Sequence, residues 1–83
     1  MNSGRLSQRE IEERFVLVAN ALYEYFPDLD LRFNLRCGTT KARCLLPHPT
    51  KKALRLPLGD KSAEDVVRDA VWAIKSLTRR FDD

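Results

Sequence analysis

Residues 28–37 read Asp-Leu-Asp-Leu-Arg-Phe-Asn-Leu-Arg-Cys, and polar and apolar residues alternate through the whole stretch. The apolar positions are Leu29, Leu31, Phe33, Leu35 and Cys37. Successive side chains of a β-strand point to opposite faces, so the alternation predicts a strand with one buried and one solvent-exposed face. We expect the rest of the chain to be arranged around the buried face.

A helix is predicted before this strand. The segment Ser7-Gln8-Arg9-Glu10 has the form of a capping box, and Leu6 can form a hydrophobic staple with Ile11. Apolar residues then recur at spacings of three and four until Pro27, which disfavours helical geometry at the residue before it. The predicted core face carries Ile11, Phe15, Val18, Ala19, Leu22 and Phe26. Leu17 lies among glutamates on the other side, and we interpret it as a single exposed apolar residue.

Two further strands are predicted after residues 28–37. Residues 38–41 are predicted to form a turn, and residues 41–46 alternate as a second strand, so the two strands are expected to form a hairpin. Residues 47–52 contain two prolines and predict a stiff, basic loop. Residues 53–58 alternate as a third strand, and Pro57 within it favours an edge position.

A second helix is predicted from Ser62, a good N-cap residue followed by acidic residues in the first turn. Its apolar set is Ala63, Val67, Ala70, Val71, Ile74, Leu77 and Phe81. The order helix, three strands, helix predicts an α+β fold, α-β-β-β-α, in which a three-stranded antiparallel meander carries both helices on one face. We expect a single domain over residues 1–83, with residues 1–6 as a flexible N-terminus.

Composition agrees with one small folded domain. The 83 residues are 43% hydrophobic and 33% charged, which is too apolar for a disordered segment. No apolar run is long enough to span a membrane, and no hydrophobic signal core follows Met1, so we predict a cytoplasmic protein. In that compartment Cys37 and Cys44 are expected to be reduced thiols.

Positive charge is concentrated in the middle of the chain. Residues 28–59 carry seven basic and two acidic residues, a net charge of +5, whereas the segments on either side each carry −1. If the apolar residues of the three strands face the helices, then four arginines must share the opposite face, with lysines beside them. The predicted basic binding residues are Arg32, Arg36, Arg43, Arg55, Lys51 and Lys52. Such a face suits phosphates or an acidic protein surface.

One alternative for this face stays open. It could be a charged surface with no function beyond solubility. Base-specific readout is disfavoured, because the face carries no aromatic residue on which a base could stack.

Trp72, the only tryptophan, is predicted to face water. On a helical wheel it lies near 160° from Ile74, with Arg68 and Arg79 close to it. Exposed aromatic residues beside arginine are typical of interface anchors, so Trp72 favours a homodimer or a partner protein. The alternatives are a side chain that lies flat over its neighbours or a helix rotated from this wheel.

No motif predicts catalysis, a metal or a cofactor. A zinc site needs three or four ligands, and Cys37, Cys44 and His48 supply only three, two of them on the predicted buried face. His48 has no well-placed nucleophile or orienting carboxylate, so a catalytic triad is unsupported. We therefore predict a non-enzymatic protein without cofactor or metal.

The predicted element order resembles the double-stranded-RNA-binding-domain fold over nearly the whole chain. That family grips phosphates with a lysine cluster at the start of its second helix, where residues 59–65 here hold one lysine and three acidic residues. The His48-Pro49 step is similar to one in HicA-type mRNA-interferase toxins. The catalytic histidine of those toxins falls at Thr40 here, so the resemblance implies a fold and not their nuclease activity.

These observations predict a small binding protein. The first expectation is a protein-interaction adaptor or inhibitor, of the kind that phages and mobile elements often encode, acting through the basic sheet face and Trp72. The second is a module that binds RNA or DNA phosphates through the same face. A ribonuclease built around His48 is a distant third.

Overall fold

The computed structural model describes residues 7–36 and 38–79. In chain order these form helix α1 (Gln8–Tyr25), strands β1 (Arg32–Leu35), β2 (Lys41–Leu45) and β3 (Ala53–Pro57), and helix α2 (Ala63–Thr78). The strands form one antiparallel sheet in the order β1-β2-β3, and the two helices contact each other. The predicted α+β meander fold is therefore confirmed. The expectations for residues 1–6, Cys37 and Phe81 lie outside the described residues.

Local sequence signals set the starts of both helices. The Ser7 side chain accepts a hydrogen bond from the backbone N–H of Glu10, and the Glu10 carboxylate accepts one from the backbone N–H of Ser7, which completes the capping box. The Ser62 side chain accepts from the backbone N–H of Asp65 at 3.2 Å and caps α2. Both predicted helix starts are confirmed.

The core lies between the helices and one face of the sheet. It contains Ile11, Val18, Leu22 and Phe26 from the α1 segment, Leu31, Ala42, Cys44, Leu46, Leu56 and Leu58 from the sheet segment, and Val66, Ala70, Val71 and Ile74 from α2. Phe33 packs at the margin of this core, where its ring meets that of Tyr23 edge to face at 5.0 Å. The apolar residues of the strands thus face the helices, as the alternation predicts.

Strand β1 is shorter than the alternation in residues 28–37 predicts. Within residues 28–36, only Arg32–Leu35 form a ladder, and they pair with residues 45 to 42 of β2. Leu29 precedes it in a turn, in which the backbone N–H of Leu29 donates to the carbonyl oxygen of Phe26. Leu31 is nevertheless buried, so the alternation gives the correct buried face beyond the limits of the hydrogen-bonded strand.

Val66, a fully buried residue of α2, was not in the predicted core set, and the predicted Val67 packs against the core as a partly buried residue. Val66 is 1% exposed, whereas Val67, which the helical wheel placed in the core, is half-buried and lies towards α1. The buried residues Val66, Ala70 and Ile74 repeat at a spacing of four, so the buried stripe of α2 is rotated slightly from the wheel. The rotation brings Val67 and Val71 to the contact between the helices.

A hydrogen-bonded arginine joins the two helical segments. Nη1 of Arg14 donates to the carbonyl oxygens of Leu58, at 3.2 Å, and Lys61, at 2.7 Å. These carbonyls lie in the connection between β3 and α2, so Arg14 fixes the start of α2 beside the second turn of α1. No sequence motif points to this contact.

Candidate functional site

The sheet face that points away from the helices is strongly basic. All four predicted arginines of this face are exposed, and the ladder register places Arg43 directly opposite Arg55, with Asn34 opposite Arg43 on the other side. Directly opposed residues on neighbouring strands have Cβ atoms about 4.5–5.5 Å apart. The centre of the face therefore holds two arginine residues in directly opposed positions.

Further basic residues extend the face at both ends. Lys41 lies within β2 and opposite Pro57, so it belongs to the face and not only to the turn. The backbone N–H of Arg36 donates to the carbonyl oxygen of Lys41, which keeps Arg36 at the same end. At the other end Lys51 and Lys52 are exposed in the loop between β2 and β3.

This loop is held by the backbone. The N–H of Lys51 donates to the carbonyl oxygen of Pro47 at 3.0 Å, and the N–H of Leu46 donates to the carbonyl oxygen of Lys52 at 2.8 Å. The two lysines thus lie at a defined end of the sheet. We call Arg32, Arg36, Lys41, Arg43, Lys51, Lys52 and Arg55 the basic face.

Very little negative charge balances the basic face. Among the described residues, the one ion pair made by a member of this face joins Arg32 to Asp30, with 3.8 Å between the guanidinium nitrogen and the carboxylate oxygen. Both side chains of that pair are largely exposed, so it contributes little to stability. The strand positions of the face hold only basic or uncharged residues. The strand positions of the face therefore carry a net positive charge.

Trp72 lies on the other side of the molecule from the basic face. It is 64% exposed, which confirms the predicted exposure, and it lines a groove of about 680 Å³ between the outer surfaces of the two helices. No residue of the sheet lines that groove. The structure therefore separates Trp72 from the arginines with which the sequence grouped it.

The groove brings Trp72 together with α1. Leu17, Ala21 and Tyr25 repeat at a spacing of four and form one wall, while Val67 and Trp72 belong to the other. Leu17 is exposed as predicted, but it is part of an apolar surface and not an isolated residue. In the sequence, this wall corresponds to a second apolar stripe of α1 that runs beside the core stripe. The interpretation of Leu17 as a single exposed residue missed this stripe.

The other two predicted site residues on α2 differ in their surroundings. Arg68 lines the groove and makes an ion pair with Asp65 one turn earlier. Arg79 is exposed and takes the left-handed conformation that caps α2, with its backbone N–H bonded to carbonyls of the last turn. Arg68 thus accompanies Trp72, whereas Arg79 lies at the end of the helix.

The side chains considered for metal binding or catalysis do not assemble into a site. Cys44 is fully buried in the core, and burial raises the pKa of its thiol to about 11. His48 is exposed in the loop after β2. Within residues 7–36 and 38–79 no group of three or more His, Cys, Asp or Glu side chains is placed to hold a metal ion. Cys37 lies outside these ranges.

This chain can be compared with known proteins only at the level of its fold. No protein-family model, curated protein or solved structure matches this chain. The α-β-β-β-α topology with its three-stranded antiparallel sheet is consistent with a double-stranded-RNA-binding-domain-like arrangement. In the part of the chain that the structure describes, no helix has both the length and the apolar character needed to cross a membrane.

Proposed function

We propose that this chain is a small non-enzymatic binding protein, an adaptor or inhibitor, that holds an acidic surface of a partner protein against the basic face. The observation that carries the proposal is the direct cross-strand opposition of Arg43 and Arg55 on a face whose strand positions hold no acidic residue. Like charges in directly opposed positions destabilise a sheet. Carboxylates of a partner would remove this repulsion, because the planar guanidinium group accepts them in a two-pronged geometry.

The uncharged residues of the face favour a protein partner. Leu45, Ala53 and Pro57 share the face with the arginines and provide apolar contact area between them. Arginine combined with apolar residues is typical of protein–protein interfaces, in which lysine is depleted. The strand positions of the face carry three of the four predicted arginines, Arg32, Arg43 and Arg55, and a single lysine, Lys41. This composition supports a protein surface as the first candidate.

Nucleic acid is the second candidate for the same face. The seven basic residues form a continuous band from Arg36 and Lys41 to the loop that holds Lys51 and Lys52. A band of basic residues is sufficient to neutralise several phosphates, and aromatic residues are not required for this. This candidate predicts binding that does not depend on the nucleotide sequence.

A capture experiment with a matched charge variant tests the proposal. The chain is immobilised and exposed to nuclease-treated extract of its host, beside Arg55→Glu and the control Arg9→Glu, which makes the same charge change on exposed α1. We expect an acidic protein that is retained by the wild type and by Arg9→Glu and lost with Arg55→Glu. The captured protein is then purified, and it must bind the wild type and Arg9→Glu more tightly than Arg55→Glu. Equal rebinding to all three forms would refute the use of the basic face.

Titration with labelled nucleic acid separates the two candidates. A duplex DNA and a duplex RNA of about 20 base pairs are titrated at about 50 mM and about 200 mM salt. If the chain binds tightly, if the affinity falls about a hundredfold or more over this range, and if Arg55→Glu reduces it, then the partner is nucleic acid and not a protein. Absence of binding at the lower salt concentration would exclude the nucleic-acid candidate.

A further inference from the structure

The outer surface of the helical layer exposes large apolar side chains that the fold does not use. Val16, Leu17, Tyr25 and Trp72 are each more than half exposed. Tyr23 is also exposed, but its ring packs against Phe33 and lies apart from this surface. Contiguous exposed apolar patches of this kind mark interaction sites. The groove between α1 and α2 runs through the patch.

The shape of the groove favours a macromolecule over a small ligand. Sites for small molecules enclose most of the ligand and present a few convergent polar groups. Here the most prominent wall residue, Trp72, is 64% exposed, and the groove is open to solvent along the helices. Its walls are mainly apolar side chains, with charged residues at the margins. An apolar centre with a charged rim is the usual composition of a protein interface.

The two helices run in roughly the same direction along the groove. Arg14 bonds the carbonyl oxygen of Lys61, so the beginnings of the helices lie side by side. At the other end, Leu29, which follows α1 by four residues, and Leu77 in the last turn of α2 line a common cavity, so the chain after α1 lies beside the end of α2. Consequently Tyr25 and Trp72, in the later parts of their helices, line the same end of the groove.

A two-fold axis along the groove would make this surface complementary to itself. Such an axis places α1 of each copy over α2 of the other, at the same height along the groove. An isologous interface requires this kind of self-complementarity. Trp72 of one copy would then lie over the wall formed by Ala21 and Tyr25 of the second copy.

The charges at the rim fit the same arrangement. Glu24 follows Leu17 and Ala21 on one face of α1, and Lys75 lines the groove on α2. In the described residues neither side chain forms an ion pair, whereas Asp65 is paired with Arg68 and Asp69 with Lys61. The axis brings Glu24 of one copy to Lys75 of the other, twice per dimer.

From these observations we infer that the groove between α1 and α2 binds a second copy of this chain, forming a symmetric dimer in which Trp72 is the main anchor. A typical stable interface covers about 800 Å² per partner. The exposed surface of the described chain is 6081 Å², so the interface would cover about an eighth of it. The basic face lies on the opposite side and stays free.

Sedimentation equilibrium of the full chain tests the dimer. We expect concentration-dependent dimerisation of the wild type, and Trp72→Ala to weaken it about thirtyfold or more, as for an anchor residue. The control Arg55→Ala, on the basic face, should dimerise like the wild type. Circular dichroism verifies that each variant is folded. A wild type that is monomeric up to about 500 μM, or a dimer that Trp72→Ala leaves intact, would overturn the inference.

A charge-reversal pair tests the proposed symmetry and does not depend on Trp72. Glu24→Lys and Lys75→Glu each place like charges together twice in a homodimer, so each is expected to weaken dimerisation about fivefold. In an equimolar mixture of the two variants both contacts become attractive, so heterodimers should predominate. Native mass spectrometry counts the species. A statistical mixture of homodimers and heterodimers would exclude this arrangement of the helices.

Discussion

Arg14 shows how one side chain can connect distant parts of a small fold. Its guanidinium group bonds two backbone carbonyls that are 44 and 47 residues away in the chain. Hydrogen bonds from charged groups contribute about 1.5–3 kcal/mol when they are partly protected from water. The position of α2 relative to α1, and hence the groove, depends on this contact.

We expect Arg14→Ala to lower the free energy of unfolding by about 1–3 kcal/mol, because the carbonyl oxygens of Leu58 and Lys61 lose a charged donor. Urea unfolding measures the change. Arg9→Ala is the matched control, since the Arg9–Glu13 ion pair is exposed and its loss should cost less than about 0.5 kcal/mol. Equal midpoints for the two variants would show that the Arg14 contacts contribute nothing.

Cys44 gives the core a dependence on alkaline pH. Burial raises the pKa of its thiol from 9.0 to about 11. Below about pH 9 the thiol keeps its proton in both the folded and the unfolded chain. As pH rises from 9 to 11, the unfolded chain loses the proton first, so the free energy of unfolding falls, by about 3 kcal/mol at most.

The comparison with Cys44→Ala isolates this contribution. Lysine and tyrosine side chains also titrate in this range, and they are common to both forms, so their effects cancel in the difference. Urea unfolding at pH 8 and pH 11 should show a larger loss of stability for the wild type than for Cys44→Ala. Parallel losses would mean that the Cys44 thiol is not protected from ionisation.

At the scale of the elements, the signals that specify this fold are mostly local. The capping box at Ser7, the N-cap at Ser62 and the two-residue alternation in the strands each involve residues within a few positions of one another. Such patterns can be recognised in a single sequence because the hydrogen bond or face that they describe is formed locally. Pro57 belongs to the same group, since its missing N–H favours the edge position that β3 has.

The features that the sequence predicts less well depend on contacts between elements. The length of β1 is set by how far β2 pairs with it, and the rotation of α2 that buries Val66 is set by packing against α1 and the sheet. The sequence predicts that the arginines share a face, but the alternation of polar and apolar residues does not give the register in which the strands pair. The direct opposition of Arg43 and Arg55 needs the paired strands.

This opposition leads to a prediction about the stability of the sheet. Arg55→Glu places a carboxylate opposite Arg43, so we expect it to raise the free energy of unfolding by about 0.5–1 kcal/mol while it abolishes binding of the proposed partner. Arg55→Ala should have an intermediate stability, because it removes the repulsion without adding an attraction. Urea unfolding of the three forms provides the test. A loss of stability in Arg55→Glu would mean that Arg55 already contributes favourably to the sheet.

At the scale of the whole molecule, the two layers divide the surface into two different regions. The sheet presents charge, and the helical layer presents apolar side chains around Trp72. The sequence predicted the composition of each region but joined them into one site, because the separation depends on which side of α2 faces the sheet. Ile74 and Trp72 lie on opposite sides of that helix, so burying Ile74 directs Trp72 away from the arginines.

If two copies associate through the helical layer, dimerisation adds to the stability of each chain. The midpoint of thermal unfolding should then rise with protein concentration, by about 3 °C for each tenfold increase above the dissociation constant. Trp72→Ala should keep its fold, since the side chain is 64% exposed, but its midpoint should depend less on concentration than that of the wild type, because its dimer is weaker. Differential scanning calorimetry from about 5 μM to about 500 μM compares the two. A wild-type midpoint that is constant over this range would show that the folded chain does not gain stability from a second copy.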